Sequence, residues 1–189
     1  MREFGFANEA INETELRSRV TELGEAITAD YRGRQPLFVS MLTGAVSFTS
    51  DLVRAFDDHA EVDFMALNRF GEGGRIGIAM DLSTSVLDRN VIIVEDVVDT
   101  GLTLSVLRRM MMDRGAASVA TVTLFDKARR RVNDVPLEYR GFEVGDEFLL
   151  GYGLDWQGLY RNLPSIWVVM DMQAFIDDPH ILARNLGHI

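Results

Sequence analysis

The 189-residue chain has no cysteine. That excludes disulfides, thiolate chemistry and a cysteine-based zinc centre, and makes the cytoplasm the expected location. It also lacks any apolar run approaching the ~20 residues of a membrane span. The opening Met1-Arg2-Glu3-Phe4 carries no signal-peptide apolar stretch. Positive charge is in deficit, with 19 basic against 29 acidic residues and a net charge of −10. That balance argues against general nucleic-acid binding but leaves a small anionic substrate open, because local fields decide its fate. Lysine is almost missing: Lys127 is the one lysine, and every other basic residue is arginine. Repeats, low-complexity segments and linkers are absent too. What remains is ordinary for a soluble globular protein, 47% hydrophobic and 25% charged, and long enough for one domain with a full core.

The most informative stretch runs from Val91 to Leu104. Val91-Ile92-Ile93-Val94 enters directly on Glu95-Asp96, and Asp99-Thr100-Gly101-Leu102-Thr103 follows. An apolar run without alternation suits a central strand covered on both faces. Leu104, Leu107, Met110 and Met111 then mark a helix over about Thr103–Arg114, with Gly115 placed just past its end. The segment reads as strand, tight loop, helix. Ligands of open parallel sheets sit beyond the carboxyl ends of the strands. Free N–H groups at the helix start, with Gly101 permitting close approach, favour a phosphate. Carboxylates beside such a nest accept sugar hydroxyls and pair with Mg²⁺. The combination fits a sugar phosphate. A receiver domain also ends an apolar strand in acids, but that strand would open the chain rather than begin at residue 91.

The remaining segments fit an α/β fold, a central parallel twisted sheet flanked by helices. Asn12 with Glu15 forms a capping-box start. Leu16, Val20, Leu23 and Ile27 continue one helical stripe, so a helix is expected over about Glu13–Tyr31. Leu37–Leu42 reads as a buried strand, Thr43-Gly44-Ala45 as the next strand-to-helix turn, and Phe48, Leu52, Val53 and Phe56 as the helix after it. Val62–Leu67 reads as a strand and residues 68–75, with three glycines and mixed charge, as a loop. Ile76–Leu82 returns as a strand, Asp88–Asn90 turns into the central strand, and Ser118–Phe125 is the next buried strand. Shorter strands are expected at Glu138–Val144, Phe148–Leu150 and Ile166–Met170, then a helical tail from Gln173 interrupted near Pro179. Residues 1–11 read as an extended arm. His59, His180 and His188 read as surface residues without a role. One domain over residues 1–189 is expected, with a small hood made from the termini and part of the region after residue 127.

Glu95-Asp96-x-x-Asp99-Thr100-Gly101-x-Thr103 after an apolar strand resembles the phosphoribosyl pyrophosphate signature of the type I phosphoribosyltransferases, and most of all their hypoxanthine-guanine branch. The resemblance extends over about residues 36–170. It implies that Glu95 and Asp96 hold the ribose hydroxyls, that the loop Asp99–Thr103 (Asp99, Thr100, Gly101, Leu102, Thr103) wraps the 5′-phosphate, and that Asp99 handles the proton on purine N7. In Leu124-Phe125-Asp126-Lys127 it implies that Lys127 donates to a 6-oxo group. An ammonium supplies donors to an acceptor oxygen and none to an exocyclic amine, so it favours 6-oxopurines over adenine. In Phe148–Asp155 and Tyr160–Pro164 it implies that Phe148 stacks on the base and that backbone near Leu149 reads the purine edge. Arg161 would contact pyrophosphate as a planar fork. With Thr43 and Gly44 it completes the pyrophosphate site. A Mg²⁺ would be held by Glu95, Asp96 and Asp155. The substrates implied are phosphoribosyl pyrophosphate and a 6-oxopurine, with a homodimer or homotetramer as the assembly.

Two positions depart from the family pattern. Thr43 stands where the family commonly has a lysine before Gly44. Arg69-Phe70 stands where the family has a Ser-Tyr pair, in a loop several residues shorter. Arg69 or Arg75 is a candidate to restore positive charge near pyrophosphate. Two other functions fit the same signature. One is a specialised transferase for a purine-like base. The other is a nucleotide-sensing regulator, which would not need Asp99 and Lys127.

Overall fold

In the computed structural model, residues 1–70 and 75–188 are described. The first helix, α1 (Glu13–Tyr31), starts at the capping box expected of it: Asn12 accepts from the Glu15 N–H, and Glu15 accepts from the Asn12 N–H. Its stripe of Leu16, Val20, Leu23 and Ile27 is buried. Before it lie β1 (Glu3–Phe4) and β2 (Ala7–Ile11). After it come β3 (Leu37–Leu42), α2 (Val46–Ala55), β4 (Glu61–Phe70), β5 (Arg75–Met80), β6 (Asn90–Val98) and α3 (Leu102–Asp113). The chain ends with β7 (Ser118–Asp126), a 3-10 turn (Ala128–Arg130), β8 (Tyr139–Glu143), β9 (Phe148–Leu150), β10 (Ile166–Val169), α4 (Met172–Asp177) and α5 (Ile181–Asn185).

Among the described residues the strands form two sheets. The larger has six strands in the order β5-β4-β3-β6-β7-β8. All neighbours are parallel except β4 and β5, which form an antiparallel hairpin at one edge. The smaller sheet, β1-β2-β10-β9, is antiparallel and joins the start of the chain to its last third. The expected loop over residues 68–75 is shorter than its composition implied. Asn68–Phe70 continue β4, and Arg75 already begins β5. Main-chain pairing of Phe70 with Arg75 and Asn68 with Gly77 extends the hairpin through polar residues, because ladder hydrogen bonds do not depend on the side chains. Gly71–Gly74 of the expected loop, and the side chains of Arg69 and Arg75, lie outside the described residues.

Apolar side chains sort to the two faces of the larger sheet by strand alternation. Ile92 and Val94 of β6 join Phe38, Phe48 and Leu52 against α1 and α2. Val91 and Ile93 join Leu104, Leu107 and Met111 against α3. Burial on both faces explains why β6 carries four consecutive apolar residues. A third cluster, with Trp167, Phe175, Tyr160 and Leu182, fills the smaller sheet and its two helices. No described helix is long and apolar enough to cross a membrane.

Candidate active site

The neighbouring parallel strands β3 and β6 send the chain to opposite faces of the sheet, β3 into α2 and β6 into α3. The crevice beyond their carboxyl ends is therefore a topological switch point, where open α/β sheets take ligands. Every candidate residue of this region falls at that edge or on the loop between β9 and β10 that meets it.

On the β3 side, Gly44 and Asp96 are in near contact. A methyl group at Gly44 would fall 1.6 Å from Asp96 Oδ2. The Leu42–Thr43 peptide is cis, and Thr43 is exposed. Gly153 closes over the same turn: its φ is +103°, and a methyl there would lie 2.0 Å from the Gly44 carbonyl oxygen. Arg161 is fixed against Gly153 and Asp155. Its Nη1 donates to the Gly153 carbonyl at 2.5 Å, and its Nη2 pairs with Asp155 Oδ1 at 2.7 Å. The other Asp155 oxygen accepts from the Gly158 N–H at 2.7 Å. Burial pushes the Asp96 carboxyl up from its ordinary range. The Val97 N–H and Arg161 pull it down, and Asp155 pushes it up again. Thus Gly44, Asp96, Asp155 and Arg161, distant in sequence, converge.

Glu95 takes a different place. Consecutive strand residues point to opposite faces, so Glu95 follows Ile93 towards the α3 side while Asp96 faces Gly44. Glu95 is buried, and desolvation, with the Asp96 charge second, raises its carboxyl well above the ordinary range. The two acids are adjacent in sequence but are not a side-by-side pair. Among the described residues no three carboxylate or imidazole groups converge as a ready-made metal cage.

Between β6 and α3 the chain turns through Asp99, Thr100 and Gly101. Gly101 adopts φ +81°, the left-handed conformation open to glycine at little cost, and the Thr100 hydroxyl accepts from the Leu102 N–H at the start of the helix at 3.5 Å. The first-turn N–H groups of α3, with Leu102 and Thr103, thus begin at the switch point, where the helix dipole favours an anion. The segment after β7 clasps this loop from behind. Lys127 N–H donates to Val98 O at 3.0 Å, and Val132 and Asn133 N–H donate to Thr100 O at 3.0 and 3.1 Å. Arg130 Nε lies 2.8 Å from Asp99 Oδ1 and 3.4 Å from Asp146 Oδ1.

Lys127, Phe148 and Leu149 meet at the β7 side of the loop. Lys127 Nζ donates to the Glu147 carbonyl at 2.7 Å, which places the ammonium beside Phe148. Phe148 is 37% exposed and leans edge-on against Trp156, ring centres 5.6 Å apart. Leu149 is buried, and its backbone lies in the β9–β10 ladder opposite Val168. Sequence reasoning missed Arg130, Arg131 and Trp156. Arg130 and Arg131 stand three and four residues after Lys127, in a run of three arginines with no pattern to tell them apart. Trp156 directly follows Asp155, an adjacency that could have drawn attention to it.

The fold and this edge define an open α/β protein with a switch-point crevice bordered by a helix N-terminus, a buried acid edge and an aromatic shelf. The phosphoribosyl transferase domain model matches residues 8–157. The hypoxanthine-guanine phosphoribosyltransferase of Streptococcus thermophilus is 41% identical over 164 residues, 85% of this chain and 91% of that one. The protein of the same name from Bacillus subtilis is 42% identical over 163 residues, 84% and 91% of the two chains. A crystal structure of a Bacillus anthracis hypoxanthine-guanine phosphoribosyltransferase superimposes with a TM-score of 0.85 at 34% identity, covering 87% of this chain and 99% of that one. The chain belongs to the phosphoribosyl transferase family.

Proposed function

We propose that the protein transfers the 5-phosphoribosyl group from phosphoribosyl pyrophosphate to a 6-oxopurine, hypoxanthine or guanine, giving the nucleotide and pyrophosphate in purine salvage. The observation that carries this is the division of one edge into three adjoining places. Gly44, Asp96, Asp155 and Arg161 stand on one side, the start of α3 in the middle, and Lys127 with Phe148 and Leu149 on the other. That order matches the order of groups in the substrates: pyrophosphate, ribose phosphate, base.

In this reading the amide cup of Asp99–Thr103 takes the 5′-phosphate, and Glu95 and Asp96 hold the ribose hydroxyls. Burial raises the Glu95 carboxyl, and a carboxyl accepts from a hydroxyl. Phe148 offers its exposed face to the base. Lys127 donates to O6 in place of the Glu147 carbonyl it now meets. Purine N9 attacks ribose C1′ as the bond from C1′ to the pyrophosphate oxygen breaks. Asp99 takes the proton from N7, leaving a neutral base in the product. Proton transfer of this kind is typically worth ~10²–10⁴ in rate. Asp96, close to the ring, favours the positive charge that develops there. Arg161 and the Thr43–Gly44 turn receive pyrophosphate.

The donor set suits Mg²⁺. Asp96 and Asp155 are two carboxylates near one another, and Mg²⁺ takes few protein ligands, filling the rest with water and phosphate oxygens. Asp96 and Asp155 would hold the ion, with Glu95 contributing less because its buried carboxyl resists ionisation. Bound there, the metal neutralises charge on the leaving pyrophosphate. We place the protein in the cytoplasm as a homodimer or homotetramer, with the smaller sheet as a hood over the site. The experiment is direct. The protein is incubated with phosphoribosyl pyrophosphate, Mg²⁺ and each of hypoxanthine, guanine, xanthine and adenine, and nucleotide is followed by absorbance. Formation of nucleotide from hypoxanthine or guanine supports the proposal. Product from adenine alone, or from none of the four, rejects it.

A further inference from the structure

A charge pair behind the phosphate loop has no part in the reaction just described. Three arginines follow one another at 129–131, and Arg129 and Arg130 are exposed. Arg131 turns inward, its side chain only 14% exposed, and pairs through Nη2 with Asp126 at the end of β7, whose side chain is 3% exposed. Arg140 Nη1 stands 3.5 Å from the other Asp126 oxygen. The Arg131 guanidinium lies under the loop between β6 and α3. A methyl group at Gly101 would come within 2.9 Å of Arg131 Cδ and 3.5 Å of its Nη1, and within 2.6 Å of the Asn133 carbonyl. Nη1 is enclosed and has no hydrogen-bond partner among the described residues.

This arrangement is expensive in isolation. A guanidinium stays charged at any working pH, and a buried charged donor without a partner carries an unrecovered desolvation penalty. Pairing with Asp126 accounts for one side of the guanidinium, and Nη1 on the side of Gly101 is left over. The charge does something else at this place. The loop must receive a phosphate dianion close to the carboxyls of Asp96 and Asp99, whose field opposes it. A fixed positive charge on the far side of Gly101 offsets that field without occupying the cup.

We infer that Arg131 is a positioning residue for the 5′-phosphate loop. Held by Asp126, it sets the backbone around Gly101 and makes the potential there favourable to phosphate, without touching the substrate. The inference rests on the assignment of that loop to the 5′-phosphate. It deepens that reading by separating the residues that meet the phosphate from the one that prepares their place.

The test uses ribose 5-phosphate, which carries the phosphate and ribose but neither base nor pyrophosphate. Its affinity is measured by calorimetry for the unaltered protein, Arg131→Gln, Arg131→Lys and Asp126→Asn, beside KM for phosphoribosyl pyrophosphate and for hypoxanthine. Arg131→Gln should weaken ribose 5-phosphate about tenfold, equivalent to about 1.4 kcal/mol, and raise KM for phosphoribosyl pyrophosphate by a like factor. KM for hypoxanthine should stay within about twofold. Arg131→Lys keeps the charge and should recover part of the loss, and Asp126→Asn should move in the same direction as Arg131→Gln by less. Both KM values rising together would mean a merely structural role and overturn the inference, as would ribose 5-phosphate affinity unchanged in every variant. Should Arg131→Gln not fold, the Lys and Asn variants decide by the same criterion. Failure of the unaltered protein to bind ribose 5-phosphate would instead remove the phosphate assignment itself.

Discussion

Gly44→Ala is a one-carbon change with a calculable consequence. The new methyl would stand 1.6 Å from Asp96 Oδ2 and 2.7 Å from its Cγ. Against an ordinary contact of 3.4 Å, the shortfall is about 1.8 Å. Gly44 does not occupy the left-handed region, so alanine meets no backbone penalty there and the contact with Asp96 is the whole perturbation. The carboxylate must swing away, giving up the 2.8 Å hydrogen bond from the Val97 N–H. An off-rotamer side chain costs of order 0.5–1.5 kcal/mol. In a chain of this size that lowers Tm by about 2–5 °C. The functional loss should be larger. A misplacement of ~1 Å at a reacting centre can cost ~10²-fold, or about 2.7 kcal/mol. We therefore expect kcat/KM for phosphoribosyl pyrophosphate to fall about a hundredfold while the protein remains folded at 25 °C. Steady-state nucleotide formation and differential scanning calorimetry read the two quantities. Activity within threefold of the unaltered protein would refute the reasoning, since Asp96 would then not need its present position. A Tm drop beyond about 10 °C would refute it differently, by showing that Gly44 is kept for packing.

Three further outcomes are expected. Asp99→Asn should fold normally and lose ~10²–10⁴ in kcat. Its ion pair with Arg130 is about half exposed on both sides and contributes under ~1 kcal/mol, so circular dichroism melting should shift little. Lys127→Met should raise KM for hypoxanthine about 10–10²-fold, the range that a lost hydrogen bond from a charged donor implies, measured by initial rates at saturating phosphoribosyl pyrophosphate. Asp63 offers a pH test away from the site. Burial pushes its carboxyl up, but the Phe64 and Thr84 N–H groups and the Ser83 hydroxyl outweigh that and hold it below the ordinary range. A depressed carboxyl contributes stability above its unfolded pKa and loses it as pH falls through the folded one. Asp63→Asn should thus melt about 4–8 °C lower at pH 7, for a loss of about 2 kcal/mol. The gap should narrow once pH drops below the ordinary aspartate range, and a gap independent of pH would contradict the assignment.

Much of the fold was legible because its signals are local. The Asn12–Glu15 box and the Leu16–Ile27 stripe contain their own start and face, and α1 spans Glu13–Tyr31. Four apolar residues before Glu95 announce a strand covered twice, which is what neighbours on both sides and clusters on both faces make of β6. The hairpin of β4 and β5 was only half legible. Asn68, Arg69 and Phe70 carry no strand pattern, and their pairing partners supply what their side chains do not. The separation of Glu95 from Asp96 follows from alternation and was available in the sequence. A motif written as an acidic pair obscured it. Arg131 was not legible at all. Nothing in Arg129-Arg130-Arg131 says which guanidinium turns inward. That depends on Asp126, the last residue of β7, pairing with Val98, the last residue of β6 before the turn to Gly101, a coincidence of register between neighbouring strands.

That register also explains why the site needs two sheets. The larger sheet supplies Asp96 from β6, and Asp99, Gly101 and Lys127 from the turns that directly follow β6 and β7. The opposing groups Phe148, Gly153, Asp155 and Arg161 come from β9 and the loop that leads to β10. They are brought in by apolar packing, with Leu149 and Ile166 buried in one cluster with Phe38 and Ile92 and with Tyr152 and Leu154 packed against it, and by polar contacts: Lys127 Nζ to Glu147 O, Arg130 between Asp99 and Asp146, and Tyr152 hydroxyl to Asp51 at 2.6 Å. Exposed ion pairs and single hydrogen bonds of this kind contribute about 1 kcal/mol each, far less than the buried strands on either side. The polar part of the seam is therefore weak beside its apolar part. Two of its contacts, those of Lys127 and Asp99, are made by the groups the proposed reaction must release to the purine. In the proposed reaction O6 would take the ammonium that Glu147 gives up and N7 the carboxylate that Arg130 gives up, so that binding the base would exchange these two contacts.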